Sequence, residues 1–261
     1  MEIAFAPVVM WSTVRFLMYF TLFFKLHTEC INFSNAFVQA ALLDTPIYVH
    51  LLCGYQIDSD QDVCLKLTKS LYGLVQAPHL WFDHLKAKLE TRGFTQRSLD
   101  PCLFYCKTTV LVCYVDDITM AGSDSNFLDA LLVADLKVDA DLTEKGELAA
   151  LLGIQVSRKV LAFTLTQTAL TDRIISTLGL DSATPTWTPP TQESLGSDID
   201  GFPMTETWNY RSVIGMLLYL SSNSSPDIAF AVHQCARFSH ASKQSHALAI
   251  KSHQTIPHFY P

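Results

Sequence analysis

Apolar residues run almost unbroken from Leu111 to Met120, and the one interruption is a pair of adjacent carboxylates, Asp116 and Asp117. β-Branched and aromatic residues dominate the run, which predicts buried strands. Two carboxylates inside a buried strand would be costly. The pattern therefore predicts strand, turn, strand, with both carboxylates at the hairpin tip. Upstream, Cys102 to Cys106 and Thr109 to Val115 predict two strands joined by a short turn. Downstream, Ser125 to Val138 has helical character, opened by Asp124 or Ser125 as N-cap. Leu151 to Ser157 and Leu161 to Leu165 predict a strand pair, and Thr168 to Leu178 a helix stopped at Gly179.

The stretch from Ile3 to Leu26 is strongly apolar, with a core from Phe16 to Phe24 flanked by Arg15 and Lys25. That core is well short of the ~20 apolar residues a membrane span needs, and no small-residue cleavage site follows it. A helix in the protein core is the expectation, with a targeting segment as the alternative. Cys30 to Val38 predicts a strand entering a turn, Ile47 to Tyr55 a strand and turn, and Val63 to Leu67 another strand. Gln56 to Asp62 is a polar loop. His79 to Gly93 predicts an amphipathic helix closed by glycine. From Ser182 to Trp208 the texture changes: Pro185, Pro189, Pro190 and Pro203 among Ser, Thr, Asp and Gly mark a linker. Beyond it, Trp208 to Leu220 and Asp227 to Phe238 carry helical periodicity, the second started by Ser225-Pro226-Asp227.

Composition narrows the classes. At 261 residues the chain can form one large domain or two small ones, and 49% hydrophobic residues suffice for a core. A charged fraction of 16% argues against disorder. The formal charge of −7 is the wrong sign for a self-sufficient nucleic-acid binder, since phosphate affinity comes from Lys and Arg. The seven cysteines have no Cys-x-x-Cys spacing, and several fall within predicted strands. This predicts reduced, buried thiols in an intracellular protein. The late histidines, His233, His240, His246, His253 and His258, show no zinc spacing.

Two readings of Asp116-Asp117 are open from these residues alone: a water-exposed turn, or a site for a hard divalent cation such as Mg²⁺. The wider sequence bears on the choice. Tyr114-Val115-Asp116-Asp117 resembles the polymerase signature of reverse transcriptases. Ser70-Leu71-Tyr72-Gly73-Leu74-Val75-Gln76-Ala77-Pro78 with Trp81 resembles a second motif of the copia-type retrotransposon enzymes. Asp100-Pro101-Cys102-Leu103-Phe104, Leu152-Gly153-Ile154-Gln155-Val156, Tyr210-Arg211-Ser212-Val213-Ile214-Gly215 and Ser225-Pro226-Asp227-Ile228-Ala229 follow in the same order. The resemblance covers about Phe5 to about Ile250.

It implies an α+β fold: a reverse-transcriptase palm, an antiparallel sheet with packed helices, followed by a helical thumb or connection region. The implied organisation is palm and start of thumb over 1–181, linker over 182–208, and helical connection over 209–261. Relative to the family the chain looks cut at both ends, lacking most of the fingers and stopping before ribonuclease H. The implied chemistry is RNA-directed DNA synthesis, a nucleotidyl transfer using two Mg²⁺ (or Mn²⁺) ions. Asp116 would be the main metal ligand and Asp117 the secondary one. The first catalytic motif, Cys30 to Val38, has Asn32 where the family has its metal-binding Asp. Phe37 falls where a ring excludes ribonucleotides, and Gln76 where a side chain touches the incoming nucleotide. Without the family, Phe37 reads as a core residue on a strand edge and Gln76 as a polar turn residue. Val75 and His79 replace residues that are usually basic. The implied partners are RNA/DNA primer-template and deoxynucleoside triphosphates, with no membrane, in the cytoplasm or nucleus. With Asn32 and without fingers, an inactive fragment is expected. The alternatives are a non-catalytic nucleic-acid or protein binding module, and a polymerase that borrows fingers from another chain.

Overall fold

Pairing of apolar strands, rather than helix packing, organises the first part of the chain. In the computed structural model the described residues are 5–42, 46–51, 54, 63–130, 136–137, 141–160, 162–183 and 195–253. The elements run α1 (Trp11–Phe23), β1 (His27–Phe33), α2 (Ala36–Gln39), β2 (Tyr48–His50), β3 (Cys64–Lys66) and α3 (Ala77–Thr91). There follow β4 (Thr95–Gln96), β5 (Leu103–Cys106), β6 (Thr109–Tyr114), β7 (Asp117–Gly122), α4 (Ser125–Ala130) and β8 (Leu142–Gly146). Six of these strands form one antiparallel sheet in the order β4-β5-β6-β7-β1-β8, and β2 pairs with β3 apart from it. The centre of the sheet is buried through Ile31, Phe33, Leu111, Ile118 and Met120. The mixed α and β architecture expected from the sequence is the one observed.

Two compact units divide the chain, one spanning Met1–Leu148 and Val160–Ala162, the other Ala149–Lys159 and Phe163–Pro261. The second holds β9 (Ala150–Leu151), β10 (Ile154–Lys159), all but the first residue of β11 (Ala162–Thr166), α5 (Thr168–Leu178), α6 (Tyr210–Asn223), α7 (Ala229–Ala236) and α8 (Gln244–His253). Its core is Ile174, Leu178, Trp208, Val213, Leu217, Val232 and Ile250, with Leu195 and Met204 packed on it. Gly179 ends α5 in the left-handed conformation at φ 67°, as its position predicts. His246 is fully buried in α8. Its Nδ1 accepts from the Lys243 amide at 2.9 Å, its Nε2 lies 2.9 Å from the Gly196 carbonyl, and its ring stacks on Phe238 at 4.3 Å.

Several expectations need correction. Asp117 is the first residue of β7 and not a tip residue; the turn consists of Val115 and Asp116. The helix α1 is a core helix on one face only. Val14, Leu17, Met18 and Thr21 are buried, while Phe16, Tyr19, Phe23 and Phe24 are exposed and stack along the outer side. Among the described residues no helix is long and apolar enough to cross a membrane. Phe37 sits on α2 and not on a strand edge. Cys64 is exposed, whereas Cys30, Cys102, Cys106, Cys113 and Cys235 are buried as expected. β8 and α8 were not predicted. Leu52, Cys53, Tyr55, the loop Gln56 to Asp62, part of the Ser125 to Val138 helix, Leu161, the linker residues 184–194 and the chain beyond His253 lie outside the described residues.

Candidate active site

Strand register brings two of the predicted site residues face to face. β1 and β7 pair antiparallel with Asn32 opposite Asp117. Directly opposed side chains share one face of a sheet, and the Asn32 amide Nδ2 donates to Asp117 Oδ1 at 3.1 Å. A third residue reaches the same oxygen: Lys145 Nζ donates to Asp117 Oδ1 at 2.6 Å. Lys145 comes from β8, the other neighbour of β1. The β1–β8 register places Cys30 opposite Gly146 and Ile31 opposite Glu144, so Lys145 is the extra residue of a bulge. A bulge re-aims the side chain it inserts. Sequence reasoning missed Lys145, because nothing in the polar Thr143-Glu144-Lys145 run signals a strand or an irregularity in it.

The turn is fixed from behind. Val115 has φ 55°, a left-handed conformation that a β-branched residue adopts only under constraint. Its carbonyl accepts from Trp81 Nε1 at 2.7 Å, and the Asp116 carbonyl accepts from the Phe33 amide at 2.8 Å. Trp81 is buried in α3 and meets Phe33 edge-on at 5.1 Å. Phe33 follows Asn32 and by strand alternation points to the opposite face. The Leu-Tyr-Gly…Trp motif thus supplies the side chain that holds the carboxylate turn.

The remaining predicted residues lie around α2 and the start of α3. Phe37 is half-buried against Tyr72, ring centroids 4.6 Å apart. Gln76 precedes α3, and its carbonyl accepts from the Leu80 amide at 3.0 Å. Among the described residues no hydrogen bond joins Phe37 or Gln76 to Asp116 or Asp117. Val75 is 76% exposed, and His79 pairs with Asp83 at 3.3 Å.

Nearby electrostatics disfavour charge on β1. Burial, then Asp129, Glu147 and Glu144, raise the Glu29 carboxyl above its ordinary value. A folded-state pKa above the unfolded one means that the folded chain holds the proton more tightly. Its contribution to stability is complete below the unfolded pKa and is lost as pH rises through the folded one. Glu29→Gln should therefore raise the melting temperature at neutral pH and leave it unchanged below about pH 4. Paired thermal melts at the two pH values check this.

The family described as reverse transcriptase (RNA-dependent DNA polymerase) matches residues 2–192. The chain belongs to the reverse transcriptase family. Its curated relatives include the retrovirus-related Pol polyprotein from transposon RE1 of Arabidopsis thaliana, 30% identical over 95% of this chain and 17% of the relative. The corresponding polyprotein from transposon TNT 1-94 of Nicotiana tabacum is 27% identical over 95% of the chain and 19% of the relative. This reverse transcriptase domain therefore spans under a fifth of those polyproteins. A telomerase structure from Candida albicans aligns at TM-score 0.34 with 10% identity, covering 95% of this chain and 52% of that one, too loosely to argue from.

Members of the family use divalent metals. Two hard cations need many oxygen ligands between them. Here Asp117 Oδ1 is engaged by an ammonium and an amide N–H, and the Asn32 amide presents its nitrogen toward that carboxylate. Among the described residues no three His, Cys, Asp or Glu side chains converge on one point. The residues present do not fit a two-ion clamp.

Proposed function

We propose that this chain is a reverse-transcriptase palm from a copia-type Pol polyprotein that does not catalyse RNA-directed DNA synthesis on its own. The observation that carries the reading is Asn32 facing Asp117, where the family resemblance calls for a carboxylate. Nucleotidyl transfer leaves little covalent work to the protein, so the rate depends on electrostatic stabilisation and positioning. An amide contributes no formal charge to that task. With Lys145 on Asp117, the cluster of Asp116, Asp117, Asn32 and Lys145 keeps a single net negative charge. Phe37 and Gln76 are proposed as the residues that would meet a nucleotide, and primer-template as the partner.

Primer extension on an RNA template with Mg²⁺ or Mn²⁺ tests the reading. The expected result is no incorporation above an Asp116→Ala control. Robust incorporation by the parent, lost in that control, would sink it. The second reading, a non-catalytic binding module, is supported by a groove of about 460 Å³ in the first unit. Phe16, Phe20, Phe24 and Tyr105 line it beside Arg97 and Lys107, with no carboxylate among the lining residues. Titrating labelled primer-template at two salt concentrations into the parent and into an Arg97→Ala, Lys107→Ala variant separates the readings: salt-sensitive binding lost in the variant favours the groove.

A further inference from the structure

We infer that Lys145 is the resident counter-cation of the carboxylate hairpin, so that this palm holds its turn without a divalent metal ion and takes one up poorly. The inference rests on the register of β1, β7 and β8, and stands apart from whether the chain extends primers.

Three features converge. The bulge between Cys30 and Ile31 makes Lys145 the unpaired extra residue of β8 and turns its side chain toward β7. Its ammonium then lies 2.6 Å from Asp117 Oδ1, a close charge-assisted hydrogen bond. Asn32 donates to that same oxygen and adds no charge of its own. Together they meet the carboxylate oxygen with two donors, and a cation approaching Asp117 meets a positive charge already in place. Asp117 and Lys145 are about a third and a half exposed, at 32% and 48% of their side-chain surface. Their contact is an exchangeable surface pair and contributes little to global stability. Its effect is on cation access, so metal uptake is the decisive readout.

The experiment is a Mn²⁺ titration of the full chain, followed by electron paramagnetic resonance of the free ion. Five proteins are compared: the parent, Lys145→Met, Lys145→Arg, Asn32→Asp, and the double variant of Lys145→Met with Asn32→Asp. The parent should show no saturable uptake below millimolar Mn²⁺, and its melting temperature should match in chelator and in Mn²⁺. Lys145→Met should gain weak uptake. The double variant should bind at least an order of magnitude more tightly than either single variant, with its melting temperature raised by Mn²⁺. Lys145→Arg, which keeps the charge, should remain indifferent to metal. Saturable uptake by the parent below millimolar Mn²⁺ overturns the inference even if no variant folds. So does a double variant that binds no more tightly than Asn32→Asp, or a Lys145→Arg protein that takes up Mn²⁺ like Lys145→Met. A parent that takes up Mn²⁺ but extends no primer overturns this inference alone and leaves the catalytic reading standing.

Discussion

Trp81→Ala should lower the unfolding free energy by roughly 3–5 kcal/mol, the range for removing a large buried aromatic side chain. Two losses combine. The indole is 2% exposed and packs edge-on against Phe33, so its removal leaves a cavity beneath β1. It also supplies the N–H that holds the Val115 carbonyl at 2.7 Å. Without it, the left-handed backbone of Val115 loses a constraint that offsets its strain. Trp81→Phe separates the two, because it keeps most of the ring burial and removes only the donor. The phenylalanine variant should lose about 1–2 kcal/mol, a lost hydrogen bond with a partly unsatisfied carbonyl. Urea denaturation of the three proteins measures both numbers. A Trp81→Ala protein as stable as the parent would show that α3 does not brace the turn.

Asp100→Ala should cost about 3 kcal/mol or more, because one buried carboxylate serves three donors. Asp100 is 2% exposed. Its Oδ2 accepts from the Met10 amide at 3.0 Å and from the Thr13 hydroxyl, and its Oδ1 accepts from the Cys102 amide at 3.0 Å. Met10 is the N-cap of α1 and its side chain makes no capping hydrogen bond. Asp100 thus anchors the start of a helix 90 residues away in sequence through the N-cap amide and the Thr13 hydroxyl, and its negative charge also suits the positive end of the helix dipole. Alanine leaves the buried Thr13 hydroxyl and Cys102 amide and the part-buried Met10 amide without their acceptor, at roughly 1–3 kcal/mol for each buried donor and not additively. Asn should rescue little, since its amide N–H₂ would face donors. Circular dichroism melts check the loss. Hydrogen exchange in residues 10–16 should rise most, which distinguishes a lost anchor from general destabilisation.

The contrast between these residues shows what sequence reading can reach. The hairpin of Asp116 and Asp117, the helix ending at Gly179 and the α3 helix all declare themselves through local pattern, because periodicity and turn chemistry act over a few residues. Asp100 lay in a recognised motif, yet its anchoring of α1 depends on a contact no window contains. β8 was missed because Thr143, Glu144 and Lys145 are all exposed, leaving only Leu142 as an apolar signal. α8 escaped because its buried stripe includes His246, a polar residue that burial and two hydrogen-bond partners make part of the core. Asn32 was legible as a substitution. Its pairing with Asp117 followed from the strand register, and Lys145 followed only from the bulge.

That bulge has a consequence for how the chain behaves in company. Among the described residues β8 is an edge strand of the six-stranded sheet, and a regular edge offers its unpaired amides and carbonyls to any extended segment that drifts past. A register shift in the outermost strand spoils that template, and an exposed Glu144 and Lys145 beside it make a neighbouring strand unwelcome. Deleting Lys145 would restore continuous pairing and flatten the rim at a single stroke. The shortened protein should seed fibrils or amorphous precipitate on warming at concentrations where the parent stays clear, with sheet growth starting from β8.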